Sequence, residues 1–387
     1  MVTLGATPSA ATPVPPPAPA PTSTGRSPDA PDPHPPLGGR APDGAAVGGP
    51  ALLRRGLVLP QGAPPLPAHL TARAWMVTDL DTGAVIAARD PHGRYQPASI
   101  QKLLTTVTLL PRLPGGRNVV VSKGAAGTEG SHAGLVAGGR YTVDDLFRGL
   151  LLVSGNDAAE ALAQAAGGRR GAVALMNAEA RRLGAYDTYV QTPSGLDGWQ
   201  QLTSAYDMTL VLRAALAQPR FLAYDRTARA YLPAQPRRHV GAIELDNQNE
   251  QFLTAVKGAL AAKTGYTDAA QHTFVGAVER HGHRYGVVLM RAQRWPLDQW
   301  QQAARLVSWA TRLPAGTAPV GSLLAPAGRA VSAHPLRASA SAPASSSPSP
   351  TEKGGGRPPL KGVAVLILIA LVGGAWYLTT RLRSRGR

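Results

Sequence analysis

The stretch AWMVTDLDTGAVIAA, residues 74–88, decides the reading of the fold. Apolar-rich runs stand on either side of Asp81-Thr82-Gly83, the pattern of a β-hairpin that opens a domain. Downstream, ASIQKLLTTVTLL (98–110) follows Pro97 with apolar residues at helical spacing and predicts a core helix that starts at a serine. Tyr141-Thr142-Val143-Asp144-Asp145 opens a further helix with a capping-type threonine, running as far as Ser154. More helices are expected over 157–166, 171–183 and 204–218. At the far end, 274–278 and 285–290 are β-type runs separated by ERHGHR, a second hairpin, and 300–312 closes the domain as an amphipathic helix. Strands at both ends with helices between them predict an α/β sandwich whose antiparallel sheet joins the two termini of the domain.

Composition sets the limits of that domain. The 387 residues include 36 prolines and 43 glycines, concentrated outside the middle. Residues 1–68 carry almost no apolar side chain larger than valine before Leu52 and are expected to be a disordered Pro-rich segment. The folded domain is expected over 69–313, and a Pro/Ser/Gly linker over 314–361, where SASAPASSSPSPTEKGGGRPP lies. Residues 362–380, GVAVLILIALVGGAWYLTT, hold no charge and predict a transmembrane helix, with Trp376 and Tyr377 near its basic end. The tail 381–387, with Arg381, Arg383, Arg385 and Arg387, is then cytoplasmic, which puts the globular part outside the membrane. That topology requires an export signal, and none precedes Arg26. The expectation is therefore that Met1 is a misassigned start within a longer signal peptide, with Ser9-Ala10-Ala11 as a small-residue cleavage end. Tail anchoring, with the domain left in the cytoplasm, is the alternative.

There is no cysteine, so neither a disulfide framework nor a thiolate nucleophile is available. The net charge of +17 comes mostly from isolated arginines without an interleaved aromatic platform, so no nucleic-acid partner is expected.

Three short motifs carry the chemistry. Ser99-Ile100-Gln101-Lys102 is S-x-x-K, Ser154-Gly155-Asn156 is S-x-N, and Lys263-Thr264-Gly265 is K-T-G. On a helix, positions i and i+3 share a face, which brings the Ser99 hydroxyl within reach of the Lys102 amine. A lysine serves as base only where desolvation or a neighbouring cation depresses its pKa, and Lys263 is the candidate for that cation. Only six of the 40 basic residues are lysines, and two of them stand in these motifs, where an amine that loses a proton or acts as a compact charge is needed. Ser154 and Asn156 fall in a turn between helices. Lys263 and Thr264, placed just before a strand at a sheet edge, make a receptor for a terminal carboxylate, and Gly265 admits close backbone approach. Taken singly, each motif also has an ordinary reading as a helix cap or a solvated lysine.

With these motifs, and with Asp79-Leu80-Asp81-Thr82-Gly83, Met176-Asn177, Pro193-Ser194-Gly195-Leu196-Asp197, Asn247-Gln248-Asn249 and Tyr266-Thr267-Asp268, the chain from about Ala74 to Ala310 resembles the D-alanyl-D-alanine carboxypeptidases among the low-molecular-weight penicillin-binding proteins, serine peptidase family S11. The resemblance implies a β-lactamase/transpeptidase-like sandwich with an antiparallel sheet and a helical cluster. It implies that Ser99 attacks the penultimate D-alanine carbonyl of a peptidoglycan stem peptide, giving an acyl-enzyme. Lys102 is then the base and Ser154 a proton relay. Asn156 holds the peptide amide, Lys263 and Thr264 the terminal carboxylate, and the backbone N–H groups of Ser99 and Tyr266 form the oxyanion hole. β-Lactams are implied as covalent inhibitors. No metal or cofactor is expected, as no H-E-x-x-H or similar spacing occurs. About fifty ordered residues after Gly265 leave no room for the C-terminal β-domain that some members carry. A class A β-lactamase is the nearest rival, but no E-P-x-L-N stretch accompanies Glu160, Glu179, Glu244 or Glu250. A non-catalytic wall-binding protein is the other, and it would have lost a motif residue.

Overall fold

The computed structural model describes residues 38–324. The expected transmembrane helix, basic tail, signal-peptide end and most of the linker lie outside them, and among the described residues no helix is long and apolar enough to cross a membrane.

The strands, in chain order, are β1 (Leu57–Val58), β2 (Ala74–Asp79), β3 (Ala84–Arg89), β4 (Asn118–Val120), β5 (Arg140–Thr142), β6 (Arg229–Leu232), β7 (Ile243–Asp246), β8 (Ala259–Thr267), β9 (Gln271–Arg280), β10 (His283–Ala292) and β11 (Gly321–Ser322). The helices are α1 (Lys102–Leu109), α2 (Lys123–Ala126), α3 (Val143–Leu151), α4 (Asn156–Ala165), α5 (Arg169–Leu183), α6 (Ala205–Leu216), α7 (Pro219–Asp225), α8 (Glu250–Ala255) and α9 (Gln299–Ala310). The main sheet is antiparallel, in the order β1-β3-β2-β10-β9-β8, with β11 added to β3; β4-β5 and β6-β7 are separate ribbons. The two ends of the domain therefore meet in one sheet, as expected.

Period-two alternation makes this sheet the middle layer of a sandwich. Ala74, Met76, Val288 and Met290 pack into the larger core beneath the helical cluster, with Leu104 of α1 and Val211 of α6. Trp75, Val77, Val287 and Leu289 face the other way, against Leu306 and Val307 of α9. Thr142 caps α3 through a reciprocal box with Asp145, and Ser204 caps α6.

Both borders expected for the domain move outward. Residues 38–68, assigned on composition to a disordered arm, include a 3₁₀ turn at Pro50–Leu53 and strand β1, with Val47, Leu52 and Val58 buried. Residues 314–324, assigned to the linker, include β11, and Leu323 is buried. A handful of well-placed apolar residues and hydrogen bonds from Gly39 and Tyr206 hold these segments, which average composition cannot register.

Candidate active site

Ser99, the serine of S-x-x-K, sits in a strained corner. Ala98 has φ 47° and is fully buried, and it begins a 3₁₀ turn, Ala98–Gln101, that runs straight into α1. The single helix expected over 98–110 is thus a 3₁₀ turn followed by an α-helix, and Ser99 lies in the turn before α1. A left-handed alanine costs about 1–3 kcal/mol, and its surroundings must impose it. Thr273 on β9 donates to the Pro97 carbonyl at 2.9 Å. Gly195 backs onto Ala98, where a Cβ would stand 1.9 Å from the Ala98 oxygen. Gly265 passes on the other side, where a Cβ would come 2.7 Å from the Ser99 nitrogen. The glycine of the third motif therefore admits the Ser99 turn itself, rather than a ligand backbone, against β8. It also lies within that strand, not ahead of it.

Lys102 points back at Ser99. Its Nζ is fully buried and lies 2.8 Å from Ser99 Oγ, 2.7 Å from Asn156 Oδ1 and 2.7 Å from the Ser194 carbonyl. A neutral amine has two N–H donors and one lone pair. The two pure acceptors, Asn156 Oδ1 and Ser194 O, can take both donors, which leaves the lone pair for the Ser99 O–H. Burial, and behind it the charge of Lys263, hold the Lys102 amine well below the ordinary lysine range, while Asp157 pulls the other way. Asp157 is itself occupied, accepting from the backbone N–H groups of Ala133, Gly134, Leu135 and Ala158, and so fixes the loop ahead of α3 against the start of α4.

Ser154, between α3 and α4, is also left-handed, with φ 60°. Its buried Oγ has no hydrogen-bond partner among the described residues. Asn156 donates from Nδ2 to the Glu129 carbonyl at 2.7 Å and accepts from Lys102 at Oδ1, so one N–H and one lone pair of the amide are uncommitted.

On β8 the side chains of Lys263 and Thr264 leave on opposite faces. Lys263 is fully buried, and its Nζ donates to the Thr264 carbonyl at 2.8 Å. Burial lowers its pKa to about 8, against the pull of Asp225. Asp225, at the end of α7, is buried and raised to about 7 by desolvation; it accepts from the Ala262 N–H at 2.9 Å, next to Lys263 in the strand. The Thr264 hydroxyl accepts from Gln299 Nε2 at 2.7 Å, and the Thr264 N–H donates to Asn249 Oδ1 at 2.9 Å.

These pieces enclose a cleft of about 360 Å³. Ser99, Ser154, Thr264, Gly265 and Tyr266 line it, whereas Lys102, Asn156 and Lys263 lie behind its wall. Asn249, Gln299, Arg294 and His272 join the lining. Asn249 falls in a stretch already singled out by resemblance, but Gln299 and Asp225 carry no motif: they stand at the start of α9 and the end of α7, and only their distant partners mark them. Among the described residues, the groups that could gather a metal, Asp79/Asp81/His283 and His92/Asp187/Asp207, are not in this cleft.

Comparison with known proteins identifies the family. The sequence pattern of the D-alanyl-D-alanine carboxypeptidase family matches residues 61–294. A D-alanyl-D-alanine carboxypeptidase of Mycobacterium tuberculosis is 40% identical over 270 residues, 69% of this chain and 90% of that protein. Another, from Salmonella typhimurium, is 30% identical over 63% of this chain and 64% of its own length. A crystal structure of the enzyme from M. tuberculosis superposes with TM-score 0.65 at 40% identity, covering 69% of this chain and all of that one. A Streptomyces DD-transpeptidase variant, at 22% identity and TM-score 0.59 over 65% of this chain and all of that one, shares the fold. The strained turn at Ala98 before Ser99, the buried lysine and the matching sequence agree, and the chain belongs to the D-alanyl-D-alanine carboxypeptidase family of serine peptidases.

Proposed function

We propose that the protein removes the terminal D-alanine from peptidoglycan stem peptides through a Ser99 acyl-enzyme, and that β-lactams acylate the same serine. The observation that carries this reading is the Ser99–Lys102 contact at 2.8 Å, made by an amine whose two other partners can only accept. Lys102 takes the Ser99 proton as the oxygen attacks the penultimate carbonyl. Ser154 Oγ, on the same cleft, passes a proton to the departing D-alanine nitrogen. The uncommitted N–H and lone pair of Asn156 suit the peptide amide. The N–H groups of Ser99 and Tyr266 are assigned to the oxyanion. Thr264 meets the terminal carboxylate, and Lys263 supplies positive charge from beneath it. Among the described residues no glutamate lines the cleft, which favours a long-lived penicilloyl enzyme over β-lactamase turnover. The uncharged run 362–380 with the basic tail behind it supports membrane anchoring, with the catalytic domain outside.

Trypsin cuts after Arg94 and Lys102, so a fluorescent penicillin should tag the peptide spanning residues 95–102. A label on any other peptide would refute the assignment. Substrate recognition is tested by a matched pair, a D-Ala-D-Ala peptide and its C-terminal amide. Charge-assisted bonds of about 1.5–3 kcal/mol make the amide slower by one to two orders of magnitude in kcat/KM. Lys263→Ala should narrow that gap, and equal wild-type rates on both substrates would disprove carboxylate recognition.

The pH profile follows from the same lysines. Neutral Lys102 is the reactive form, so the rate climbs as pH rises through its depressed pKa. Lys263 must be charged, so kcat/KM on the acid substrate falls again near its value of about 8. The descending limb should be absent with the amide substrate, and its persistence there would assign it to another group.

A further inference from the structure

A groove of about 1620 Å³, several times the volume of the catalytic cleft, opens at one end of the main sheet. Among the described residues its lining includes six arginines, Arg40, Arg73, Arg89, Arg94, Arg181 and Arg291, and no lysine. Topology explains how they gather. Strands β3, β2 and β10 are adjacent and antiparallel, so the last residue of β3, the residue before β2 and the penultimate residue of β10 reach the same sheet end. Those positions are Arg89, Arg73 and Arg291. Arg181 faces them from the last turn of α5, and Arg40 comes from the N-terminal segment that the sequence had assigned to disorder.

The acidic side is thin and engaged. Among the described residues, Asp187 and Asp268 are the only carboxylates in the lining. Asp187 accepts from the Gly39 N–H at 2.9 Å, and its carboxylate lies 2.7 Å from His92 Nδ1 and 3.3 Å from Arg94 Nε. Asp268 accepts from the Tyr266 hydroxyl at 3.0 Å. Arg73, Arg89 and Arg181 are exposed, and none has an ion pair among the described residues. A concave surface lined by one sign of charge focuses potential and concentrates anions. Its breadth, with arginines spread over several separate elements, exceeds what one small anion could span. Tyr189 and Trp199, 49% and 82% exposed, add apolar contact surface in the same lining.

We propose that this groove binds a linear polyanion with phosphodiester repeats, a wall polymer whose phosphates take the guanidinium forks while its alkyl or sugar parts rest on Tyr189 and Trp199. The groove and the catalytic cleft share the β8–β9 hairpin. Asp268 and Gln271 line the groove, while Tyr266 and His272 line the cleft. A polymer held here lies beside the peptidase cleft without entering it.

The test uses the full chain and three probes: a synthetic glycerol-phosphate oligomer, poly-L-glutamate of matched charge, and inorganic phosphate. Binding is read by calorimetry at several salt concentrations. The oligomer is expected to bind at least about tenfold more tightly than the other two, with affinity falling steeply as salt rises. The double variant Arg89→Gln/Arg181→Gln should weaken oligomer binding by about tenfold or more while fluorescent-penicillin labelling stays at the wild-type rate. That labelling reports the catalytic cleft and fails separately from the groove. Equal affinity for polyglutamate, or oligomer binding that the double variant leaves intact, overturns the proposal. If the double variant loses labelling too, the single variants Arg89→Gln and Arg181→Gln are measured, and unchanged oligomer binding in both overturns it as well.

Discussion

Lys102→Arg is expected to slow acylation by penicillin by about three orders of magnitude, close to the effect of Lys102→Ala, although it keeps the positive charge. General-base catalysis is worth roughly two to four powers of ten, and a guanidinium does not give up its proton in a protein. The wild-type amine is primed for the role by two features that arginine cannot share. It is fully buried beside Lys263, which favours its neutral form, and its partners leave one lone pair for Ser99. Arginine would bring a permanent charge and a planar fork into a site shaped for a tetrahedral nitrogen with three partners at 2.7–2.8 Å. Stopped-flow acylation rates, with a thermal melt to confirm folding, check the prediction. An arginine variant that acylates near the wild-type rate removes Lys102 from the role of base. The pH dependence gives a second reading: the rise with pH assigned to Lys102 should disappear in the variant, since a guanidinium keeps its protons throughout that range.

The chemistry was more legible in the sequence than its support. S-x-x-K, S-x-N and K-T-G each describe a local backbone with a polar tip, so the residues that meet at the cleft could be named from short strings. The hairpin around Asp81-Thr82-Gly83 and the capping box at Thr142 are local in the same sense. What escaped depends on distant partners. The left-handed turn at Ala98 is imposed by Thr273, Gly195 and Gly265, so a helical pattern over 98–110 could not reveal that the first turn is 3₁₀. Strand alternation separates Lys263 from Thr264, so two residues read as one carboxylate receptor divide into a buried charge and a cleft hydroxyl. Asp225 matters through its place behind Ala262 and Lys263, and Gln299 through its bond to Thr264, neither of which has a local sequence pattern. The segment 38–53 is held by single contacts across long separations, such as Gly39 to Asp187 and Val47 to His92.

Ser99→Ala should abolish covalent penicillin labelling and D-alanine release while leaving the fold in place. The substitution removes one half-buried oxygen from the cleft and leaves the backbone of the turn to its existing restraints, so any conformational change should be small. The main stability effect falls on Lys102. With Ser99 gone its amine keeps Asn156 Oδ1 and Ser194 O, enough for both donors of the neutral form, so no buried N–H is orphaned. A protonated Lys102 would lose one of three acceptors, at a cost of about 1–3 kcal/mol. The amine in the alanine variant should therefore lean further toward the neutral form, and the protein should tolerate the change best at alkaline pH. Intact mass after incubation with penicillin, circular dichroism, and melting curves at two pH values test each part. The expected outcome is no mass increase, an unchanged spectrum, and a melting point closer to wild type at the higher pH. A penicilloyl adduct on the alanine variant would place the nucleophile elsewhere, and loss of the native spectrum would show that the Ser99 oxygen holds the Lys102 site together as well as reacting there.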